Sequence, residues 1–269
     1  MVNKLRKFFS GTYLGIMLVF LYAPIVFLII YSFNSSKTLG HWTGFTFDWY
    51  VKLFTTREIT DALVVTVTIA VLSALIATVM GTAAAIGIHA MKRRPSMIIE
   101  GVSQLPMLNP DLVTGISLML LFLFTGIRGG YIRLLIAHVT FNLPYVIFSV
   151  LPKLRQSSDM LYEAALDLGC TPPQAMWKVV IPDIMPGILS GAILAFSLSL
   201  DDFVVSFFAG NGVDNLSMYI YGAARKGVNP ALTTVLFVPV VTLLLITNIR
   251  SLREERRAEI QSRKVSVKT

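Results

Sequence analysis

Long runs of residues without a single charge constrain the fold of this chain more than any other feature. Residues 11–33 contain no Asp, Glu, Lys or Arg, and neither do residues 62–90. A helix needs about 20 apolar residues to cross a bilayer, so both runs are long enough to span a membrane. With 55% hydrophobic and 14% charged residues and a mean hydropathy of +0.70, the chain is too apolar for an ordinary soluble domain.

Four further apolar runs complete a set of six expected spans and predict an all-α, polytopic membrane fold. The expected spans are residues 11–33, 62–90, 107–127, 131–151, 184–209 and 230–249. The third is irregular, because prolines interrupt it and Asn109-Pro110-Asp111 is typical of a helix start. We expect a single transmembrane domain over residues 1–269. The competing interpretation of the first run, a secretory signal peptide, is disfavoured because the run is too long and lacks a small-residue cleavage site.

Lysine and arginine are distributed unevenly around these spans. Sixteen of the 23 Lys and Arg residues fall on one side, which comprises the N-terminus, residues 92–94, the 152–183 loop and the tail after residue 249. Cytoplasmic loops carry the excess of positive charge, so both termini are expected in the cytoplasm. The net charge of +8 is therefore interpreted as membrane topology, and no nucleic-acid partner is expected. With one cysteine, Cys170, and three scattered histidines, we expect no disulfide, metal or bound cofactor in this chain.

The loop at residues 152–183 is the one long amphipathic segment between apolar runs. Ser158 is expected to cap its first helix. That helix has two stripes of residues, an acidic one of Asp159, Glu163 and Asp167 and an apolar one of Leu161, Ala164, Ala165 and Leu168. Such a helix is suited to dock into a groove of another protein and to pair with its cations, although an ordinary surface helix would show the same spacing.

Capping signals predict how this loop turns. Gly169 is expected in the left-handed conformation at the end of the first helix, since glycine enters it without penalty. Thr171, Pro172 and Gln174 are typical of a capping box with a proline at the first helical position. Pro182 has no N–H to donate, so we expect the second helix to end just before it.

Glu163-Ala164-Ala165 is followed after three residues by Gly169 and after nine more by Val179-x-Ile181-Pro182. This pattern resembles the EAA motif of the permease subunits of binding-protein-dependent ABC importers, with Val and Ile in place of its usual Ile and Leu. The resemblance implies a type I importer fold and a cytoplasmic segment in which Glu163, Ala164, Ala165 and Gly169 couple the permease to an ABC ATPase dimer. It also implies a transport subunit and not an enzyme. The chain has no GxxxxGK[ST] motif, and ATP with Mg would bind the partner ATPase.

Three acids lie inside the expected spans. Asp111 is in the third span, and Asp201 and Asp202 are in the fifth, where Ser199 belongs to a stripe of small residues. A carboxylate in hydrocarbon costs about 2.5–3.5 kcal/mol on insertion scales, so such residues usually face a cavity or a partner. No Lys or Arg lies in the middle of a span. The spans therefore favour a net-negative path for a cationic substrate, which would pass the three acids and Ser199. The alternative is structural, with an acid capping an unwound helix end or pairing with Arg133.

Aromatic residues follow the first expected span. Trp49 and Tyr50, together with Trp42, are placed to add cation–π contacts at the outer mouth of such a path. A short amphipathic helix is expected over residues 49–54. The alternative role of these aromatic residues is anchoring at the membrane–water interface, which Trp and Tyr perform in most membrane proteins.

Three shorter motifs, FNSS after the first span, NPD in the third and LSLDD in the fifth, are similar to those of PotC-type permeases of spermidine/putrescine importers. This resemblance runs over nearly the whole chain and implies polyamine transport across the inner membrane. It implies four kinds of partner: a second, PotB-like permease, an ABC ATPase dimer, an extracytoplasmic polyamine-binding protein and membrane lipid. Two alternatives stay open. One is an ABC permease for another solute, such as ferric iron or an oxyanion, of which the oxyanion is less well suited to acidic spans. The other is an ion-coupled secondary transporter, which should show an inverted repeat.

Overall fold

The computed structural model describes residues 2–36, 41–157 and 159–225. In this part of the chain the regular elements are helices, and the one isolated β-bridge joins Asn34 to Phe45. The chain divides into two compact units, Met1–Arg57 with Ile220–Thr269, and Glu58–Tyr219. The predicted all-α class is confirmed for the described residues.

Twelve helical elements follow one another along the described chain. They are α1 (Val2–Tyr31), α2 (Asp48–Thr55), α3 (Arg57–Ala90), α4 (Arg93–Leu108), α5 (Asp111–Thr125), α6 (Gly130–Gln156), α7 (Asp159–Asp167), α8 (Pro172–Ala175), a π-helical turn (Met176–Val180), α9 (Ile181–Asp201), α10 (Val204–Ala209) and α11 (Leu216–Arg225). The short helix expected near residues 49–54 is present as α2.

In the first unit, Asn34 organises the chain between α1 and α2. Its side-chain oxygen accepts hydrogen bonds from the backbone N–H and the hydroxyl of Thr43, and its side-chain nitrogen donates to the His41 carbonyl at 2.8 Å. The indole N–H of Trp49 donates to the backbone oxygen of Asn34 at 2.7 Å. The asparagine of the FNSS motif is therefore a buried structural residue that ties the loop to α2.

In the second unit, α3, α6 and α9 share one hydrophobic core, which includes Ile88, Val146 and Ile184. Glycines allow these helices to approach closely. A Cβ atom on Gly81 of α3 would lie 2.7 Å from the Val146 side chain, and one on Gly191 of α9 would lie 3.2 Å from the Val146 Cα. The small-residue stripe of the fifth expected span therefore does what its spacing predicts, since it brings α9 against α6.

Four helices of the described part are long and apolar enough to cross a membrane. They are Tyr13–Tyr31, Arg57–Ala90, Gly130–Gln156 and Pro172–Asp201. A bent pair, α4 and α5, meets at 102° and would be a fifth crossing if it forms one span. The sixth expected span, residues 230–249, lies outside the described residues.

Residues 107–127, the span that the sequence predicts to be irregular, are divided between α4 and α5 at the expected helix start. Asn109 is extended and ends α4, Pro110 precedes α5, and α5 begins at Asp111 with no side-chain cap. The residue before a proline is driven out of the helical region, which explains the break. At 1.5 Å per residue, the 15 residues of α5 reach only about 22 Å, short of a bilayer core of about 30 Å.

The expected borders of the fifth span and of the preceding loop are also corrected. The helix that was expected to end near Ile181 continues from Pro172 to Asp201. A π turn at Met176–Val180 widens this helix just before Pro182, which accommodates a residue that has no N–H to donate. At the other end, the span expected to run to residue 209 is broken, because Asp202 is extended and α10 begins at Val204.

Candidate functional site

The segment from α7 to α8 is a helix–turn–helix closed by a glycine. Gly169 has φ +88°, and the N–H of Cys170 bonds to the Ala165 carbonyl at 3.0 Å, while the N–H of Gly169 bonds to the Leu166 carbonyl at 2.9 Å. These two bonds are the 6→1 and 5→2 pair of a Schellman motif. The left-handed glycine that the sequence predicts is thus confirmed. The expected cap Ser158 lies outside the described residues.

The second half of this segment starts as its sequence predicts. Thr171 and Gln174 form a capping box, in which the Gln174 side-chain oxygen accepts the Thr171 N–H at 3.2 Å, and Pro172 occupies the first turn. Because α8, the π turn and α9 are continuous, the turn at Gly169 is joined to a helix of membrane-spanning length. A force on the turn would therefore act directly on α9.

The candidate coupling residues do not all face the same way. Glu163 and Ala164 are exposed, whereas Ala165 is buried, so the predicted apolar stripe of α7 is divided between the two sides of the helix. Two large apolar side chains stand out from the segment, with Leu168 87% and Trp177 71% exposed. An exposed acid and exposed apolar side chains within one short segment suit a docking surface for another protein.

A cavity of about 420 Å³ lies behind α7. Its lining comes from the ends of α3 and α6, from α7, and from the start of the long helix, and it includes His89, Leu154, Tyr162, Glu163 and Asp183. The helix–turn–helix is therefore not packed solidly against the spans at this point. Close packing resists displacement, so such a gap leaves room for α7 to move.

Asp202 lies at the break between α9 and α10, and its carboxylate accepts three hydrogen bonds. It accepts the N–H of Val205 at 3.2 Å, the N–H of Ser206 at 2.8 Å and the hydroxyl of Ser206 at 2.7 Å. Hydrogen bonds to a charged group contribute about 1.5–3 kcal/mol each, which is comparable to the cost of placing a carboxylate in a span. This geometry matches the structural alternative, an acid that caps an unwound helix end.

The neighbouring acid is in a different environment. Asp201 is the last residue of α9, and it is exposed. Ser199 is buried, and its hydroxyl lies 3.0 Å from the Ser73 hydroxyl and accepts a bond from the Asn142 side chain at 2.7 Å. Of these two pathway candidates, only Asp201 has an accessible polar group; Ser199 joins α9 to α3 and α6.

Asp111 is the first residue of α5 and is exposed. The sequence-based alternative, a pair between Asp111 and Arg133, is not formed. Arg133 is buried instead, with its Nε donating to the Ile127 carbonyl at 2.7 Å and its guanidinium 5.8 Å from the centre of the Phe122 ring. Asp111 thus remains available to a ligand or a partner at the bend between α4 and α5.

Trp49 and Tyr50 are engaged within their own unit. Trp49 is buried, and the Lys52 ammonium lies 4.6 Å from the centre of its ring, so the protein's own cation already covers this face. The Tyr50 hydroxyl lies 2.9 Å from the Ser32 hydroxyl, and its ring stacks on Phe33. These contacts give both side chains a structural role within their own unit, and a cation–π contact with a substrate stays a prediction.

Sequence reasoning missed the polar side chains around Asp201 and Asp202, which we call the acid pair. Asn142 and His138 of α6 are both buried, and Asn215, which precedes α11, donates to the Asp202 carbonyl and to the Ser206 hydroxyl, each at 2.8 Å. Their signal in the sequence was the presence of His and Asn four residues apart within an apolar run. Such residues share one face of a helix and usually bind a partner when they lie inside a span.

These helices, with several candidate spans and a helix–turn–helix joined to one of them, define a polytopic α-helical membrane protein. A family model described as "Binding-protein-dependent transport system inner membrane component" matches residues 77–252. The chain belongs to this family and is a membrane transport component.

Individual relatives cover nearly the whole chain. A PotC spermidine/putrescine transport system permease of Haemophilus influenzae is 34% identical over 248 residues, covering 91% of this chain and 96% of the relative. The putrescine transport system permease PotI of Escherichia coli K12 is 40% identical over 219 residues, 78% of each chain. Among solved structures, a bacterial ABC transporter involved in alginate import matches with a TM-score of 0.72 and 14% identity, covering 92% of this chain and 97% of that chain. At this identity the likeness shows a shared fold alone.

Proposed function

We propose that this chain is a permease subunit of an ATP-driven ABC importer and that, with a second permease, it forms a path for polyamines. The observation that carries the proposal is the similarity to PotC and PotI permeases at 34–40% identity over most of the chain. The exposed carboxylates of Asp111 and Asp201, with no exposed basic residue inside α5 or α9, suit a cationic substrate.

The proposed assembly has four kinds of component. A homologous, PotB-like permease completes the path, an ATPase dimer binds ATP and Mg, and an extracytoplasmic binding protein delivers the polyamine. Both termini and Arg93 lie in the cytoplasm, on the side that carries most Lys and Arg residues. We further propose that the part of the chain after residue 225 contributes the sixth span, at residues 230–249.

Coupling is proposed to run through the helix–turn–helix. Glu163 pairs with a cation of the ATPase, and the exposed Leu168 and Trp177 pack against apolar side chains of the same partner. Closure of the ATPase dimer on ATP moves α7, and the continuous helix from Pro172 to Asp201 transmits this movement to the acid pair. Access then changes from the outer side to the inner side.

Uptake in cells tests this function. The chain is expressed with its partner permease, ATPase and binding protein in cells that lack their own polyamine importers, and uptake of labelled spermidine and putrescine is measured beside ferric iron and an oxyanion. We expect polyamine uptake that requires both this chain and an active ATPase. An assembled complex that takes up iron or an oxyanion and no polyamine would contradict the proposed substrate. Uptake that continues without the ATPase would indicate an ion-coupled transporter.

A further inference from the structure

Helix α6 holds both sides of the break between α9 and α10. His138 and Asn142 lie four residues apart on α6 and are 1% and 0% exposed. Before the break, the Asn142 side chain donates to the Ser199 hydroxyl at 2.7 Å. After the break, Nε2 of His138 lies 2.9 Å from the Ser206 hydroxyl. The two polar side chains thus attach one face of α6 to the residues on either side of Asp202.

The carboxylate of Asp202 fixes the direction of the hydrogen bonds in this group. An ionised carboxylate only accepts, so the Ser206 hydroxyl donates its proton to Asp202 Oδ2 at 2.7 Å. The same hydroxyl oxygen then accepts, from Asn215 at 2.8 Å and from Nε2 of His138 at 2.9 Å. His138 is therefore a donor through Nε2. Its other nitrogen, Nδ1, is buried and has no hydrogen-bond partner among the described residues, as suits an unprotonated ring nitrogen.

The main chain at the break is also held by a side chain. Asn215 donates to the Asp202 carbonyl at 2.8 Å, and its own side-chain oxygen accepts the Met218 N–H at 2.9 Å. Nε2 of His138 also lies 3.6 Å from Asp202 Oδ2. These contacts set the orientation of Asp202, and through its backbone they set where Asp201 stands at the end of α9. A change of hydrogen bonding at His138 would thus reach Asp201 through Ser206 and Asp202.

We propose that His138 is a positioning residue for the acid pair: by donating Nε2–H to Ser206, it holds the Ser206 hydroxyl on Asp202, keeps the helix broken there, and so sets the Asp201 carboxylate in place. Its part in transport rests on the proposed function, whereas the positioning itself can be measured without any substrate. This role depends on one donated proton and not on the volume of the ring. It therefore differs from the role of a residue that only fills space.

Hydrogen–deuterium exchange in the assembled complex tests the positioning. The His138→Gln variant retains an N–H donor of similar reach, whereas His138→Phe retains a ring and loses the donor. We expect His138→Phe to speed exchange of the Val205 and Ser206 amides roughly tenfold, which corresponds to a loss of about 1.4 kcal/mol of protection. His138→Gln should exchange these amides at a rate near that of the wild type. Thr140→Val, on the exposed face of α6, is the matched control and should change neither exchange nor uptake.

Uptake per assembled complex should follow the same order, with His138→Gln well above His138→Phe. A ring that only fills space predicts the reverse order, and that result would overturn the proposal. The double variant His138→Phe with Ser206→Ala should exchange no faster than the more affected single variant, because both substitutions remove one link. If the two substitutions speed exchange additively, His138 does not act through Ser206.

Two outcomes remain informative if a variant or the transport assay fails. If His138→Phe does not assemble, Ser206→Ala removes the same link from the other side, and unchanged exchange at residues 203–210 in that variant would overturn the proposal. If the wild-type complex takes up no polyamine, the proposed function fails, while the exchange of these amides still decides whether His138 positions the acid pair.

Discussion

At the scale of single residues, two adjacent aspartates have different surroundings because the helix is unwound between them. Neighbouring residues of a regular helix point about 100° apart, so two acids in sequence seldom share a cavity. Here Asp202 turns back onto the N–H groups and the hydroxyl that follow it, and Asp201 stays exposed at the end of α9. The burial of one carboxylate is thus offset by hydrogen bonds, and the other remains open to a cation.

Single substitutions to asparagine should separate these two roles. Asp202→Asn replaces an oxygen that only accepts with a group that also donates, so the bonds from Val205 and Ser206 are impaired, and we expect a loss of about 1–3 kcal/mol in stability. Asp201→Asn removes an exposed charge, so we expect reduced polyamine uptake with little loss of stability. Thermal unfolding of the purified complex and uptake normalised to assembled complex are the measurements. Equal melting temperatures for both variants would contradict the structural role of Asp202.

At the scale of secondary-structure elements, the turn at Gly169 and the close contact between α3 and α6 depend on glycine for different reasons. Gly169 is needed for its backbone conformation, with φ +88° and no atom within 4 Å of the position that a Cβ would occupy. Gly81 is needed for space, since a Cβ there would lie 2.7 Å from Val146. The consequences of substitution therefore differ in kind, and both can be measured.

For the coupling segment, Glu163→Lys should detach or uncouple the ATPase, because it places a positive charge where we propose a pair with a cation. Gly169→Ala should be milder and cost on the order of 1 kcal/mol, the penalty of a left-handed alanine. Co-purification of the ATPase and the ratio of transport to ATP hydrolysis are the readouts. A Glu163→Lys complex that retains its ATPase and transports at the wild-type rate would contradict the docking role.

For the helix contact, Gly81→Ala and Gly87→Ala form a matched pair within α3. Gly81→Ala should lower the melting temperature through a loss of about 1–3 kcal/mol, since it forces an overpacked contact with Val146. Gly87 has no atom within 4 Å of its added Cβ, so Gly87→Ala should be neutral or stabilising by up to about 1 kcal/mol through helix propensity. A Gly81→Ala variant as stable as Gly87→Ala would contradict the close contact between α3 and α6.

At the scale of the whole molecule, the distribution of charge decides the orientation in the membrane. Most Lys and Arg residues lie in segments that the alternation of spans places on one side. Four of the described helices are long and apolar enough to cross a membrane, or five if α4 and α5 form one bent span. If residues 230–249 form the sixth span that we propose, both termini would lie on the same side, and the positive-inside rule would assign that side to the cytoplasm.

Labelling of single cysteines should reveal this orientation. Cys170 is the one cysteine of the chain, so Cys170→Ser gives a background free of cysteine. In intact cells, a membrane-impermeant thiol reagent should label cysteines at His41 and Asp214, and should label one at Arg93 only after the membrane is opened. All three positions are exposed, whereas nearby Asn215 is buried and unsuitable. Labelling of position 93 in intact cells would contradict a cytoplasmic location for the turn between α3 and α4.

The helical class, most of the apolar spans and the turn at Gly169 could be predicted from the sequence, because these depend on local properties: the length of uncharged runs, the conformational freedom of glycine and the capping side chains. The break after Asp201 and the partners of the buried polar residues could not be predicted, because they depend on contacts between helices that are distant in the sequence. The prolines themselves account for the π turn before Pro182 and for the break at Pro110, whereas the angle at which α4 and α5 meet and the side chains around Asp202 are seen only in the folded chain. The link from His138 through Ser206 to Asp202 joins α6 to α10, residues 68 apart in sequence, and no local pattern specifies such a contact.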